Sequence, residues 1–206
     1  MTADPKLFAE AVEIGRKVLW LHTFGERMID PNDGRPAGPP RLSAEHMPFV
    51  PKSGAISDGP NDMPDTIGYD AEKERLLVGH GFVDRVPPFV WHYEVSGKQV
   101  LLQWFSYRKK KRERPIIGDR RPPSPLGDIQ PDHWLPEYTT ELLNVLNVLG
   151  LLVELEPKQS NLLERICTGP LISEADLKAA GALAIPATPK ESKNNSEKAL
   201  RSLFHE

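Results

Sequence analysis

A dense run of basic residues near the middle of the 206-residue chain is its strongest chemical signal. Residues 108–121 carry eight basic and two acidic side chains, a net charge of +6 in a chain whose total charge is −3. The basic residues are Arg108, Lys109, Lys110, Lys111, Arg112, Arg114, Arg120 and Arg121. Because the rest of the chain is acidic, the run predicts a local anion site, and nucleic-acid phosphates suit such a site best.

Aromatic residues stand directly beside this run, at Trp104, Phe105 and Tyr107. Their rings are of the kind that stack on nucleobases. The alternative is that the run is a solvated loop and the aromatic residues belong to the core, since basic runs are common and weakly specific. The residues alone leave both interpretations open.

No catalytic or metal-binding arrangement can be recognised in the sequence. The candidate acids and bases are Glu26, Asp84, Glu94, His22, His80 and His92. Their spacing forms neither a set of nucleophile, base and orienting group nor a set of metal ligands. The sequence also lacks a phosphate-binding loop for ATP, a Gly-rich loop for S-adenosylmethionine and the Asn/Asp-Pro-Pro-Tyr motif that holds a flipped adenine. A small independent enzyme is therefore the least favoured function.

Length and composition indicate one domain in residues 1–181 and a disordered tail in residues 182–206. No stretch reaches the apolar length of a membrane span, and the N-terminus lacks a secretory signal pattern. The single cysteine, Cys167, gives no internal disulfide and fits a cytoplasmic protein. Because it follows Leu162, Leu163 and Ile166, we expect Cys167 to be buried.

The hydrophobic pattern predicts an α+β fold with a small antiparallel β-meander, several packed helices and long Pro-rich loops. A first helix spans residues 4–21, with Asp4 as its N-cap. Residues 30–64 form a long irregular loop because they contain eight of the 21 prolines. Three short apolar runs separated by turns predict the meander in residues 66–86.

The second half of the chain is predicted to be mostly helical. A short helix over residues 89–93 leads to a central helix opened by Ser96 or Gly97, whose apolar residues precede the basic run. The longest helix covers residues 138–156, starts at Thr139 or Thr140 and ends at Pro157. A shorter helix over residues 158–167 follows, and a capping box of Ser173 and Asp176 opens the last one.

Three groups of motifs, taken in order, resemble the C-terminal specificity region of type ISP restriction-modification enzymes. These are WLHTFGER at residues 20–27; then VPPFVW at 86–91, YEVSG at 93–97 and WFSYR at 104–108; then SPL at 124–126, Trp134, ELLNVL at 141–146 and LEP at 155–157. The resemblance extends over residues 7–181.

This resemblance implies a target-recognition domain that binds double-stranded DNA and selects the adenine to be methylated. Type ISP enzymes combine adenine-specific DNA methyltransferase, nuclease and translocase activities in one chain. S-adenosylmethionine and ATP are implied only for those other parts, whose motifs are missing here. We therefore expect a truncated gene product, a separately encoded subunit or the end of a larger protein.

Two functions follow. In the first, the chain is a DNA-recognition module without activity of its own, and the basic run contacts phosphates. In the second, the apolar helix over residues 142–155 docks on a methyltransferase or helicase partner without direct DNA contact.

Overall fold

The computed structural model describes residues 2–109 and 131–182. Residues 110–130 and 183–206 lie outside the described part, and so do most of the basic run and nearly all of the predicted tail. The described elements are α1 (Pro5–His22), β1 (Ile67–Asp70), β2 (Arg75–Val78), β3 (Gly81–Val83), α2 (Pro88–Trp91), β4 (Glu94–Val95), β5 (Lys98–Gln99), α3 (Val100–Ser106), α4 (Pro136–Thr168) and α5 (Glu174–Ala179). The predicted α+β class is confirmed.

The strands β1, β2 and β3 form the predicted antiparallel meander in that order. Alternation along the strands directs Leu76, Val78 and Val83 into the core, where all three are fully buried. Between α1 and β1 the chain is irregular apart from two single 3-10 turns, Pro31–Asp33 and Lys52–Gly54. This confirms the predicted long loop.

The predicted start of the central helix is wrong. Ser96 and Gly97 both have positive φ, 53° and 73°, and they form the tight turn of a hairpin between β4 and β5. Two consecutive left-handed residues suit a hairpin turn because their twist matches that of the paired strands. Helix α3 therefore begins later, at Val100.

The longest helix also differs from its prediction. Helix α4 is one continuous element of 33 residues that passes through Pro157, which was expected to end it. A proline inside a helix removes one backbone hydrogen bond. The turns on both sides are held by packing, since Leu155 and Leu162 are buried. The helix begins at Pro136, and the hydroxyl of Thr139 accepts a hydrogen bond from the indole of Trp134 instead of capping the helix.

Helices α1 and α4 pack side by side and run antiparallel. Arg165 near the end of α4 pairs with Glu10 near the start of α1 at 2.9 Å, and Gly169 lies against Leu7. The carboxyl end of α1 and the amino end of α4 therefore point to the same end of the molecule. Helix α1 begins as predicted, because the Asp4 carboxylate accepts from the backbone N–H of Lys6 at 2.8 Å.

Helix α4 forms the centre of the core. By length and composition it could cross a membrane, since one 18-residue window is long and apolar enough, contrary to the prediction that no stretch reaches that length. However, 44% of that window is buried inside the protein, and core helices of soluble proteins meet the same criteria. The finding thus carries no argument for a membrane span.

Near the end of the described chain, the predicted burial of Cys167 is wrong and the predicted capping box of α5 is correct. Cys167 is exposed, not buried, because it lies on the outer side of the last turns of α4. The predicted capping box is confirmed. The Ser173 hydroxyl accepts from the N–H of Asp176 at 3.2 Å, and the Asp176 carboxylate accepts from the N–H of Ser173 at 2.9 Å.

Candidate nucleic-acid interface

The basic run leaves the described fold from a cluster of aromatic rings shared by α3 and the start of α4. The Trp134 ring is fully buried and lies edge-on to Trp104, with 6.2 Å between ring centroids. Tyr138 packs edge-on against Trp134 at 5.4 Å. Such edge-to-face pairs are a favoured aromatic geometry, so the two segments are held firmly together.

Arg108 closes this cluster by contacts on several sides of its guanidinium group. Nη2 and Nε donate to one carboxylate oxygen of Glu141, at 2.7 and 3.1 Å. Nη1 donates to the carbonyl oxygen of Trp104 at 3.1 Å. The group also lies over the Trp104 ring at 4.2 Å and faces the Tyr138 ring at 5.5 Å. We call Trp104, Arg108, Trp134, Tyr138 and Glu141 the aromatic clasp.

The aromatic clasp brings together the two chain segments that flank residues 110–130. Arg108 precedes that stretch and Trp134 follows it, yet both contact Trp104. Of the eight predicted phosphate-binding residues, the structure describes two and the other six lie outside the described part. Arg108 belongs to the clasp, and Lys109 is exposed beside it. Outside the described residues lie Lys110, Lys111, Arg112, Arg114, Arg120 and Arg121. Phosphate contact by these eight side chains remains a prediction.

The three aromatic residues beside the run have different environments. Phe105 is buried in the core and cannot stack on a base, whereas Trp104 is half-buried in the clasp. Tyr107 is 68% exposed and its hydroxyl accepts a hydrogen bond from the Gln103 amide at 2.8 Å. Both interpretations of the sequence therefore hold in part, and Tyr107 is the ring accessible to a ligand.

A second ordered surface lies next to the clasp and was not predicted. Residues 23–42, which we call the anchored loop, are organised around Arg35, a residue only 4% exposed. Its Nε donates to the carbonyl oxygen of Met28 at 2.9 Å. Its terminal nitrogens pair with Asp33 at 2.7 Å, Glu13 at 3.5 Å and Asp30 at 3.6 Å. A buried cation is tolerated because these carboxylates compensate its charge.

The backbone of the anchored loop is held at two further points. Gly25 has a φ of +78° and lies so close to Gly38 that an added Cβ would stand 1.8 Å from the Gly38 carbonyl oxygen. The Trp20 indole donates to the Pro36 carbonyl at 2.9 Å. Phe24 and Met28 have left-handed backbone, with φ of 50° and 54°, and both large side chains are exposed. The loop therefore has a defined shape with apolar residues on its surface.

The anchored loop is fastened to α4 one turn beyond the clasp. Arg41 donates to the side-chain oxygen of Asn144 at 2.7 Å, and the N–H of Leu42 donates to the side-chain oxygen of Asn147 at 2.8 Å. Because Asn144 follows Glu141 by three residues, the two positions are neighbours on the helix surface. The loop and the clasp are therefore adjacent. The hydrogen bond to Leu42 also explains why a polar residue, Asn147, is buried in an otherwise apolar helix.

Comparison with known families decides what kind of domain this is. A profile of the type ISP C-terminal specificity domain matches residues 1–144, more than two thirds of the chain. The chain belongs to this family. Searches of the curated proteins and of the solved structures find no match. The resemblance seen in the sequence motifs is confirmed, and the specificity domain has a target-recognition role in a type ISP restriction-modification system.

The family match covers both surfaces described above. It includes α1, the anchored loop, the sheets and α3, and it ends at residue 144, just after the clasp residue Glu141. The sequence carried a signal for the loop, since WLHTFGER at residues 20–27 was among the motifs of the resemblance. Glu141 likewise begins the motif ELLNVL at residues 141–146, whereas no motif or spacing indicated Arg35.

The candidate catalytic residues of the specificity domain are not brought together. Asp84 forms a bidentate pair with Arg75 at 2.6 and 3.2 Å, and Arg75 also covers the Phe82 ring at 3.6 Å. The other five candidates, the three histidines with Glu26 and Glu94, are exposed. Within the described residues no three His, Cys, Asp or Glu side chains are grouped to bind a metal ion.

The alternative function required α4 to present an apolar face to a partner. In the specificity domain that face is already covered, since Leu142, Leu146, Leu149, Leu152 and Leu155 are buried in its own core. The apolar face of residues 142–155 is therefore not available as the docking surface of the second hypothesis.

Proposed function

We propose that the specificity domain binds double-stranded DNA in the cytoplasm and holds the basic run against the phosphate backbone. The proposal is supported by the charge of the run, with seven basic and two acidic residues from position 109 to 121. It is supported as well by the aromatic clasp, which fixes the two flanks of this stretch at one surface. A charged segment with both ends held loses less conformational freedom on binding than a free one.

In this proposal the domain selects the site and other parts of a type ISP enzyme carry out the chemistry. Methyltransferase and translocase domains, in the same chain or in a partner subunit, would bind S-adenosylmethionine and ATP and would methylate the chosen adenine or cleave the DNA. The target-recognition role of the family supports this division.

The test is binding of the full chain to a fluorescein-labelled duplex with a randomised centre, measured by anisotropy at several salt concentrations. Each phosphate contact contributes about 0.9 to the slope of log K against log salt. We therefore expect Lys110→Gln combined with Lys111→Gln to weaken binding to all sequences and to reduce the slope by about 1.8. Lys6→Gln, at the exposed start of α1, is the matched control and should leave the slope unchanged.

An unchanged slope in the double variant would show that the basic run is a solvated loop. Absence of binding by the wild-type chain at low salt would refute the proposal for the domain on its own.

A further inference from the structure

The exposed face of α3 carries hydrogen-bonding side chains and no charge. Residues 99–107, from the last residue of β5 to the residue after α3, include no acidic or basic side chain. Leu101 and Phe105 are buried in the core, whereas Gln103, Ser106 and Tyr107 are exposed. The exposed face of a surface helix usually includes charged residues. An uncharged hydrogen-bonding face directly before a run of net charge +6 fits a ligand whose charged and uncharged parts lie side by side, as phosphates and bases do.

Gln103 and Tyr107 form one unit on this face. They are four residues apart and are therefore neighbours on the helix surface. The Gln103 amide nitrogen donates to the Tyr107 hydroxyl at 2.8 Å, and Tyr107 is 68% exposed. A side-chain amide has two N–H donors and an acceptor oxygen, so beyond this bond Gln103 still has one N–H and its oxygen to offer a ligand. The bond to Tyr107 fixes the direction in which both groups point.

The aromatic clasp holds α3 from behind and places this face beside the start of the basic run. Trp104 lies edge-on to Trp134 at 6.2 Å, and the Phe105 ring lies 6.4 Å from the same Trp134 ring. Lys109 follows Tyr107 by two residues and is exposed. The acidic member of the clasp is paired with the arginine of the clasp, so its charge is compensated. A ligand that contacts Tyr107 therefore lies next to the first cations of the run.

We propose that α3 is the base-reading helix of the domain. Gln103 reads an adenine in the major groove of the duplex, and the Tyr107 ring packs on the methyl group of a thymine. This inference rests on the proposed function and adds the sequence readout that phosphate contacts cannot supply. DNA fits this face better than a protein partner because the basic run continues directly from the same helix.

The chemistry and the size of the helix both match the major groove. A glutamine suits adenine because its oxygen accepts from N6 and its N–H donates to N7, and an apolar surface suits the C5-methyl group of thymine. Helix α3 has seven residues and is about 10 Å long, and the major groove is about 12 Å wide. Side chains on a helix packed against the core are also held more precisely than side chains on a loop.

The test uses a duplex that the wild-type chain selects from the randomised pool, with a base analogue placed at each A·T pair in turn. 7-Deazaadenine removes the N7 acceptor and uracil removes the thymine methyl group, and neither changes a phosphate. At the contacted pairs we expect each analogue to weaken wild-type binding roughly fivefold. Gln103→Leu should bind adenine and 7-deazaadenine duplexes equally, and Tyr107→Leu should bind thymine and uracil duplexes equally.

Two further variants separate base reading from a structural role. Phe8→Leu changes a ring that is 51% exposed near the other end of α4, where Glu10 pairs with Arg165, and it should keep the wild-type affinity and both analogue effects. Tyr107→Phe keeps the ring and removes the hydroxyl that orients Gln103, so it should keep the uracil effect and reduce the 7-deazaadenine effect. The slope against salt should equal that of the wild type in every variant, because no phosphate contact is lost.

Three results would overturn the assignment of α3. The first is that Gln103→Leu and Tyr107→Leu keep both analogue effects, and the second is that the wild-type chain shows neither effect at any A·T pair. In these two cases the proposed function stands if Lys110→Gln with Lys111→Gln still reduces the slope against salt. The third is that the wild-type chain binds no duplex, in which case the proposed function fails and the base-reading helix fails with it.

Discussion

Replacing Arg108 tests whether this side chain anchors the basic run or contacts DNA itself. In Arg108→Met the stem still covers the Trp104 ring, but the charge and all three hydrogen bonds are lost. The ion pair with Glu141, a residue whose side chain is 47% exposed, is worth about 0.5 kcal/mol. The hydrogen bond to the Trp104 carbonyl adds about 1 kcal/mol, and the cation over the Trp104 ring about 0.5 kcal/mol.

The expected destabilisation by Arg108→Met is therefore about 2 kcal/mol, or a fall in Tm of roughly 4–8 °C for a chain of this size. Glu141→Gln removes only the ion pair and should cost about 0.5 kcal/mol. The two substitutions contact each other, so the double variant should be more stable than the sum of the single effects predicts, by about 0.5 kcal/mol. Urea denaturation followed by tryptophan fluorescence measures all three values, since Trp104 and Trp134 lie inside the clasp.

The DNA readout separates anchoring from phosphate contact. If Arg108 anchors the run, Arg108→Met weakens binding to the randomised duplex without changing the slope against salt. Lys109→Gln, at the exposed next position, should reduce the slope by about 0.9 and leave stability unchanged. The reasoning is refuted if Arg108→Met leaves stability within 0.3 kcal/mol of the wild type, about the limit of additivity, and lowers the slope by about 0.9. The guanidinium would then leave Glu141 to bind a phosphate.

Two further predictions concern the anchored loop and helix α5. Arg35→Gln should destabilise the domain by about 2 kcal/mol in urea denaturation, because it leaves half-exposed carboxylates without their cation; a loss below 0.5 kcal/mol would show that the loop keeps its shape without Arg35. Hydrogen bonds from Ser173 lower the pKa of Asp176 below its usual 3.8, so the capping box stabilises α5 fully above pH 3.8 and loses this effect as the pH falls through the lowered pKa. An NMR titration should show a higher pKa for Asp176 in Ser173→Ala than in the wild type, because the hydroxyl donor is lost while the backbone N–H of residue 173 still donates. A value equally low in that variant would contradict the assignment.

Local chemistry made several elements of this fold predictable. Asp4, the turns of the meander and the Ser173–Asp176 capping box act through neighbours in sequence, so their patterns could be read directly. The start of α3 was missed because Ser96 and Gly97 suit a helix start and a hairpin turn equally well. The passage of α4 through Pro157 depends on tertiary packing around the proline, which no local signal records.

In the candidate site, too, local features could be predicted from the sequence, whereas features set by distant residues could not. The charge of the basic run is a property of composition, and the aromatic residues beside it were evident from spacing. Which of them are buried depends on Trp134 and Tyr138, residues that lie some 30 positions later. Arg35 could not be distinguished from any other arginine in a polar loop, because its carboxylate partners include Glu13, which is 22 positions away in the sequence.

Arg35 and Arg108 have a common role that changes how the charge of this domain should be read. Arg108 lies at the base of the basic run and Arg35 at the base of the anchored loop, and each is paired with carboxylates, so neither adds much to the potential that a duplex experiences. The attraction must then come from other cations, such as Arg41 and Lys109 among the described residues and the remaining basic residues of the run. Arginine suits this structural role because its planar guanidinium group can bind a carbonyl oxygen and a carboxylate at the same time. Arg35 and Arg108 both do so. A lysine would bind its partners through a single point charge. It follows that the count of basic residues overestimates the number of phosphate contacts, and that the inward arginines affect recognition through the shape of the surface they support.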